Sequence, residues 1–165
     1  MNYTYNWLNL DEKRYLLVWA AAKLVFVGGP DDDLQVAGKL LRDTDAHYTL
    51  GAIPVPISAG MTALLTGAAR ILPANLYTVT GTTFQRQVYA ALRSIPYGQT
   101  VTYSQLADKM QMPSAVRAIA HAVASNPLLV VQPCHRVVPK AGGTGQYRGG
   151  KKMKESLIAL ESQFA

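Results

Sequence analysis

Cysteine is almost missing from this chain. The 165 residues contain one, Cys134, so no disulfide can form within the chain and no cluster of thiolates can hold a structural zinc. A lone thiol fits a reducing compartment. Charged residues are also sparse, at 16% against 49% hydrophobic. Even so, no apolar run reaches the ~20 residues of a membrane span. The longest, Tyr15 to Gly29, is broken by Lys23. The opening MNYTYNWLNLDEKRY lacks a basic stretch followed by an apolar one, so no signal peptide is expected. Repeats and low-complexity tracts are absent, which argues against a disordered or repeat architecture. The length predicts one domain or two small ones, large enough to bury a core unaided.

The charge that is present is uneven. Residues 1–81 carry six Lys/Arg and seven Asp/Glu, whereas residues 82–165 carry ten and three, which yields the formal +6 of the whole. A basic half beside a neutral one suits a polyanionic partner, nucleic acid first, although a basic protein without such a partner looks the same by charge alone.

The N-terminal half reads as α/β. Tyr15–Ala20 and Leu24–Gly28 form a hairpin pattern closed by Gly-Gly-Pro-Asp. Residues 32–41 and 57–65 read as short helices. His47 stands alone, and Asp31-Asp32-Asp33 fits a solvated turn or helix start better than a cation site. Residues 74–81 read as a linker, dividing the chain into domains at 1–78 and 79–165.

The C-terminal half is locally explicit. Thr82 with Gln85, and Thr102 with Gln105, are capping-box pairs opening two helices. The first helix should turn Phe84, Val88, Ala91 and Ile95 inward. Val101 and Leu106 occupy the staple positions of the second. Met112-Pro113 makes a turn, and a third helix runs from Ser114 to about Ser125, a helix-turn-helix pattern. In that third helix Val116, Ile119, Ala120 and Val123 are expected to face the core. Arg117, Ala118, His121 and Ala122 then form a smooth outer face with one Arg and one His. Such a face lets a helix approach a DNA groove closely, and alanine propensity alone is the alternative.

Asn126-Pro127 stops that helix. Leu128–Val131 reads as a buried strand leading into Pro133-Cys134-His135-Arg136-Val137. The thiol stands beside an imidazole and a guanidinium, which favour thiolate when charged, and thiolate is the nucleophile. In a regular strand Cys134 and His135 would point to opposite faces, so direct contact requires a turn. Gly142 to Gly150 is a glycine-rich loop without the P-loop pattern. A last helix, 151–164, should bury Met153, Leu157, Leu160 and Phe164. Glu161 borders that stripe, with either His135 or a surface lysine as its partner.

Taken in order, Phe84-Gln85, Ile95-Pro96-Tyr97-Gly98, Thr100-Val101-Thr102-Tyr103, Ala115-Val116-Arg117-Ala118, Asn126-Pro127, Pro133-Cys134-His135-Arg136-Val137, Gly145-Gln146-Tyr147-Arg148-Gly149-Gly150 and Leu160-Glu161 make this half resemble the O6-alkylguanine-DNA alkyltransferases. The resemblance implies a ribonuclease-H-like α/β N-terminal domain and a mostly α C-terminal domain with a winged-helix-like helix-turn-helix. It implies direct-reversal repair in the cytoplasm by a monomer without cofactor or metal. The alkyl group would pass once from O6-alkylguanine in double-stranded DNA to Cys134, and the residues leave O4-alkylthymine open. Cys134, His135, Glu161 and Tyr103 take catalytic roles. Arg117, Ala118, His121, Thr102 and Gln105 face DNA, and Tyr147, Arg148, Val137 and Asn126 surround the base. Two departures stand out: Ala120 and His121 replace common glycines, and Arg148 occupies a position that varies in the family. A non-catalytic alkyltransferase-like binder would lack the cysteine, a thiol hydrolase would separate its Cys and His, and a simple regulator would read a sequence.

Overall fold

The first residues, NYTYNWLNL, alternate polar with aromatic or aliphatic side chains, the period of a strand with one buried face. In the computed structural model, which describes residues 1–165, they form β1 (Asn2–Leu10). β2 (Lys13–Ala20) and β3 (Lys23–Val27) are the expected hairpin, so the long apolar run is two strands. Its turn places Ala21 and Ala22 at φ 50° and 59°, the left-handed pair of a tight hairpin. β4 (His47–Leu50) pairs parallel with β1, which makes the order β3-β2-β1-β4 with the first three strands antiparallel.

α1 (Leu34–Leu41) starts where Asp33 accepts a hydrogen bond from the Val36 amide, and the Asp32 carboxylate accepts one from the Gly29 amide at 2.7 Å. The aspartate run therefore builds a turn and a helix start. No group of three or more His, Cys, Asp or Glu side chains converges as metal ligands would. Tyr3, Leu16, Val18, Val25, Phe26 and Ala37 form a core between sheet and α1. α2 (Val55–Thr66) buries Ile57, Met61 and Leu64.

The expected linker is partly structural. Ala74–Leu76 is a 3-10 turn, Tyr77 bridges to Leu24, and the Thr78 amide donates to the Leu24 carbonyl. The chain separates into two compact units, Met1–Thr80 with Pro127–Val131, and Gly81–Asn126 with Gln132–Ala165. Residues 127–131 thus lie with the first unit. They are also not the strand expected. Only Leu128 bridges to Val27, and Val130 turns to φ 70°.

In the second unit both capping boxes are complete. The Gln85 and Thr82 amides bond the opposite side chains at 3.2 and 2.9 Å, and the Gln105 and Thr102 amides do so at 3.1 and 2.8 Å. Each cap stabilises its helix by about 1 kcal/mol. They open α3 (Thr83–Arg93) and α4 (Tyr103–Lys109). The inward face of α3 is Gln85, Val88, Tyr89 and Leu92, so Phe84 and Ala91 are only half-buried. α5 (Val116–Ala124) buries Ile119, Ala122 and Val123. Ala122 therefore belongs to the core, not to the outer face, which is Arg117, Ala118, His121 and Ala124. β5 (Val101–Thr102) pairs parallel with β6 (Val137–Val138). α6 (Lys151–Phe164) buries Lys154, Leu157 and Glu161, while Phe164 is 44% exposed and Met153 and Leu160 are half-buried. The stripe is rotated from the expected one, with Glu161 turned inward to accept hydrogen bonds from His135 and Arg136. No helix is long and apolar enough to cross a membrane.

Candidate active site

The cysteine is displayed by a turn, not by a strand end. Pro133 leads into a 3-10 turn over Cys134–Arg136, closed by the Arg136 amide donating to the Pro133 carbonyl at 3.0 Å. Three consecutive residues are thereby withdrawn from solvent, with Cys134 5%, His135 0% and Arg136 6% exposed. Behind the turn, Asn126 and Gln132 hold each other. The Asn126 amide donates to the Gln132 carbonyl at 2.8 Å, and the Gln132 amide donates to Asn126 Oδ1 at 2.7 Å. The Asn126 side chain also hydrogen-bonds Cys134, so it ties the end of α5 to the thiol.

Glu161 of α6 is the anchor of the turn. His135 Nε2 donates to its Oε1 at 2.7 Å, and Arg136 donates to both carboxylate oxygens, Nε to Oε2 at 2.8 Å and Nη2 to Oε1 at 2.9 Å. Arg136 Nη1 reaches the Ile95 carbonyl at 2.7 Å. Burial would raise the Glu161 carboxyl, but the hydrogen bonds and charges of His135 and Arg136 outweigh it and hold the group at about 2. An ionised carboxylate only accepts, so His135 carries its proton on Nε2 and keeps Nδ1 as a basic lone pair. Nδ1 is buried without a protein partner. Burial holds the imidazole below its ordinary value, against the pull of Glu161, so it rests neutral and able to take a proton.

The thiol differs from expectation. Burial pushes Cys134 up, and the Asn126 hydrogen bond with the charges of Arg148 and Lys154 offsets this only in part. The resting sulfur is therefore a thiol. The cations that act on it are Arg148 and Lys154, not His135 and Arg136, which follow it in sequence. Lys154 escaped the sequence reading. It is 1% exposed, with Nζ on the Val137 carbonyl at 2.7 Å; burial lowers it and Cys134 raises it. Helical spacing could have revealed it, because an inward Glu161 brings Leu157 and Lys154 with it at four and seven residues back.

Iodoacetamide should alkylate the native protein slowly at neutral pH. Its rate should titrate above the ordinary thiol range, and Lys154→Met should move that midpoint higher still. A midpoint at or below that of free cysteine would contradict this electrostatic account.

Tyr103, at the start of α4, is half-buried. Burial and the Cys134 charge both raise its phenol, keeping its proton in place. Tyr103 also lines an open cavity of about 730 Å³ with Ser114, Val116, Arg117 and Ala120. Arg117, Ala118 and His121 are exposed on α5. Thr102 and Gln105 engage their side-chain oxygens in the capping box. Val137 is buried in the β5–β6 pair, Tyr147 is half-buried, and Arg148 Nη2 donates to the Asn126 carbonyl at 3.0 Å.

The site is a buried thiol on the turn that also carries the His135–Glu161 pair, in a unit whose α5 exposes Arg117 and His121. Residues 83–163 match the family model described as 6-O-methylguanine DNA methyltransferase, DNA binding domain. The inducible methylated-DNA–protein-cysteine methyltransferase of Bacillus subtilis (strain 168) is 49% identical over 83 residues, covering 50% of this chain and 46% of that one. The bifunctional transcriptional activator/DNA repair enzyme Ada of Escherichia coli (strain K12) is 48% identical over 85 residues, covering 52% and 24%. The chain thus spans about half or less of the length of these relatives. Among solved structures, Mycobacterium tuberculosis OGT in complex with DNA aligns with a TM-score of 0.80 at 27% identity, over 100% of this chain and 95% of that one. The methyltransferase of Pyrococcus kodakaraensis has the same fold, with a TM-score of 0.75 at 22% identity over 96% and 98%. Residues 83–163 thus belong with the DNA-binding domain of the 6-O-methylguanine DNA methyltransferase family.

Proposed function

We propose that this protein repairs DNA by direct reversal, transferring the alkyl group of O6-alkylguanine in duplex DNA to its own Cys134, once per molecule. The observation that carries the reading is the 2.7 Å pair of His135 and Glu161 on the turn that also bears the one cysteine of the chain. Arg117 enters the base stack from α5 and fills the gap left by the everted nucleotide, while Ala118 allows close approach in the minor groove. His121, Thr102 and Gln105 lie toward the sugar-phosphate backbone. The base passes into the cavity beside Tyr103 toward the thiol, with Tyr147, Arg148, Asn126 and the Val137 backbone around it.

The thiol proton leaves for His135 through a water, and Glu161 stabilises the imidazolium that results. The sulfur then attacks the alkyl carbon: the S–C bond forms and the C–O6 bond breaks. Its electron pair flows into the purine as Tyr103 donates a proton to a ring nitrogen, so guanine departs neutral. The product is a thioether that no group here can cleave, and the protein stays alkylated. Burial raises the thiol and lowers the imidazole, so at rest the proton stays on sulfur. No cofactor or metal takes part. O4-alkylthymine fits the same chemistry as a second substrate.

Under this reading residues 1–78 are an N-terminal domain of ribonuclease-H type, a description supported by the β3-β2-β1-β4 order with β4 parallel to β1. Residues 79–165 are the DNA-binding and acceptor domain, its helix-turn-helix of winged-helix type. The protein works as a monomer in the cytoplasm, where its thiol stays reduced.

Incubation with excess duplex carrying labelled O6-methylguanine should load label to a plateau of one equivalent per protein. Continued turnover would overturn the proposal. Arg117→Ala should slow transfer from duplex DNA at least tenfold while changing reaction with free O6-benzylguanine less than threefold; equal loss on both would remove Arg117 from base eversion.

A further inference from the structure

Gln132 is a fully buried polar side chain just ahead of the cysteine turn, and the transfer steps above make no use of it. Its partners run in one line. Arg93, exposed at the end of α3, donates from Nη1 to Gln132 Oε1 at 2.9 Å. Gln132 Nε2 donates to Asn126 Oδ1 at 2.7 Å, and Asn126 Nδ2 donates to the Gln132 carbonyl at 2.8 Å. The Asn126 side chain also hydrogen-bonds Cys134 and favours its ionised form, as a donor does. Donor chemistry fixes every direction in this chain. A guanidinium only donates, so Gln132 meets Arg93 with its oxygen and turns its NH₂ to Asn126. That NH₂ only donates, so Asn126 meets it with Oδ1 and turns Nδ2 the other way. Nδ2 carries two hydrogens: one goes to the Gln132 carbonyl, and the second is left for the sulfur. The two amide dipoles therefore align, with a guanidinium at one end and a donor to Cys134 at the other, and hydrogen bonds in such a chain strengthen one another.

We infer that Arg93 and Gln132 are positioning residues for the transfer: by setting the orientation of the Asn126 amide, they aim its remaining N–H at Cys134 Sγ and stabilise the sulfur as it loses its proton. This deepens the alkyl-transfer reading and rests on it. Neither residue touches the sulfur, and both act through Asn126. Tyr103, Arg148 and Lys154 act on the sulfur by charge rather than through this chain, so their contribution stays in place when the chain is cut. Loss of Arg93 frees Gln132 to exchange its oxygen and nitrogen, whereas loss of the Gln132 amide removes the donor to Asn126 Oδ1 outright. Arg93 therefore carries the smaller share.

The experiment measures two quantities: the pH midpoint of iodoacetamide alkylation, and the single-turnover rate of methyl transfer from an O6-methylguanine duplex. The proteins are wild type, Gln132→Met, Arg93→Met, Arg93→Lys and the Q132M/R93M double variant. In Q132M, which nearly keeps the side-chain volume, the midpoint should rise by at least half a pH unit and transfer at neutral pH should fall at least fivefold. R93M, at an exposed position, should move both the same way by less, and R93K, which keeps a cationic donor, should recover at least half of that change. Adding R93M to Q132M should alter neither quantity further, because the guanidinium acts only through the amide it binds. A Q132M midpoint equal to that of wild type overturns the inference, and so does slower transfer with an unmoved midpoint, which a purely structural side chain would give. If Q132M does not fold, R93M decides, and an unchanged midpoint there overturns the inference. An R93M effect as large in Q132M as in wild type removes Arg93 from the chain. Wild type that reacts with iodoacetamide but accepts no methyl group overturns the alkyl-transfer reading, and the midpoints still judge the chain.

Discussion

Cys134→Ser should accept no alkyl group while still binding DNA. Serine keeps the shape of the turn, whose hydrogen bonds run through the backbone of Gln132 to Arg136. What changes is the acid strength and nucleophilicity of the attacking atom. A hydroxyl is far harder to ionise than a thiol, and His135, held below its ordinary range by burial, is too weak a base to compensate. The expected fall in transfer rate is about 10⁴-fold or more. Arg117, Ala118 and His121, which we propose face DNA, are exposed on α5, whereas Cys134 is buried, so duplex affinity measured by gel shift should stay within about threefold. Residual transfer at a tenth of the wild-type rate would mean that another atom is the acceptor.

Glu161→Gln should weaken both the fold and the chemistry. The carboxylate accepts from His135 Nε2 and twice from Arg136, all at or below 2.9 Å. A glutamine offers one acceptor oxygen and sets an NH₂ against donors. Arg136 is then a buried charge without its counter-ion, which costs about 3–5 kcal/mol. Pairing Glu161→Gln with Arg136→Met should restore part of that loss, since removing both charges spares the desolvation. The rate should fall too, because the imidazolium formed on proton transfer loses its stabilising anion.

The pH dependence of stability has a definite sign. Glu161 is held at about 2 in the folded protein against an ordinary 4.5. Its contribution, about 3 kcal/mol, is complete above that ordinary value and lost as pH falls through about 2. His135 adds to the acid loss from its ordinary 6.5 downward, because burial disfavours its proton in the folded state. Urea unfolding of wild type should therefore show stability falling from pH 6.5 toward 2, with a flatter profile below pH 4.5 in E161Q. A wild-type profile flat from pH 6.5 to 3 would show that the buried cluster does not form.

Local signals were legible in the sequence and non-local ones were not. Thr82 with Gln85 and Thr102 with Gln105 foretold two helix starts because a capping box closes within one turn. The Tyr15–Gly28 hairpin was equally local. β4 escaped notice because four mostly exposed residues form a strand only by parallel pairing with β1. Leu128–Val131 reads like a strand because all four are apolar. Residues 127–131 join the first unit through the Pro127 carbonyl and Leu129 amide on Val27, at 2.9 and 3.3 Å. At the site, Cys134, His135 and Glu161 could be named from residue type and order. Lys154 follows only by helical spacing from an inward Glu161, because by itself a lysine on a basic helix reads as solvated. The thiol's protonation state is hidden for the same reason: its sequence neighbours favour thiolate, while the burial that favours thiol depends on the fold.

The central claim is that one sulfur accepts the alkyl group irreversibly. Intact-mass measurement followed by peptide mapping, after incubation with excess O6-methylguanine duplex, tests it most directly. The account predicts one added methyl per chain, located on Cys134, and an equal amount of restored guanine in the DNA. Methyl on any other residue, or guanine restored without protein modification, would contradict it.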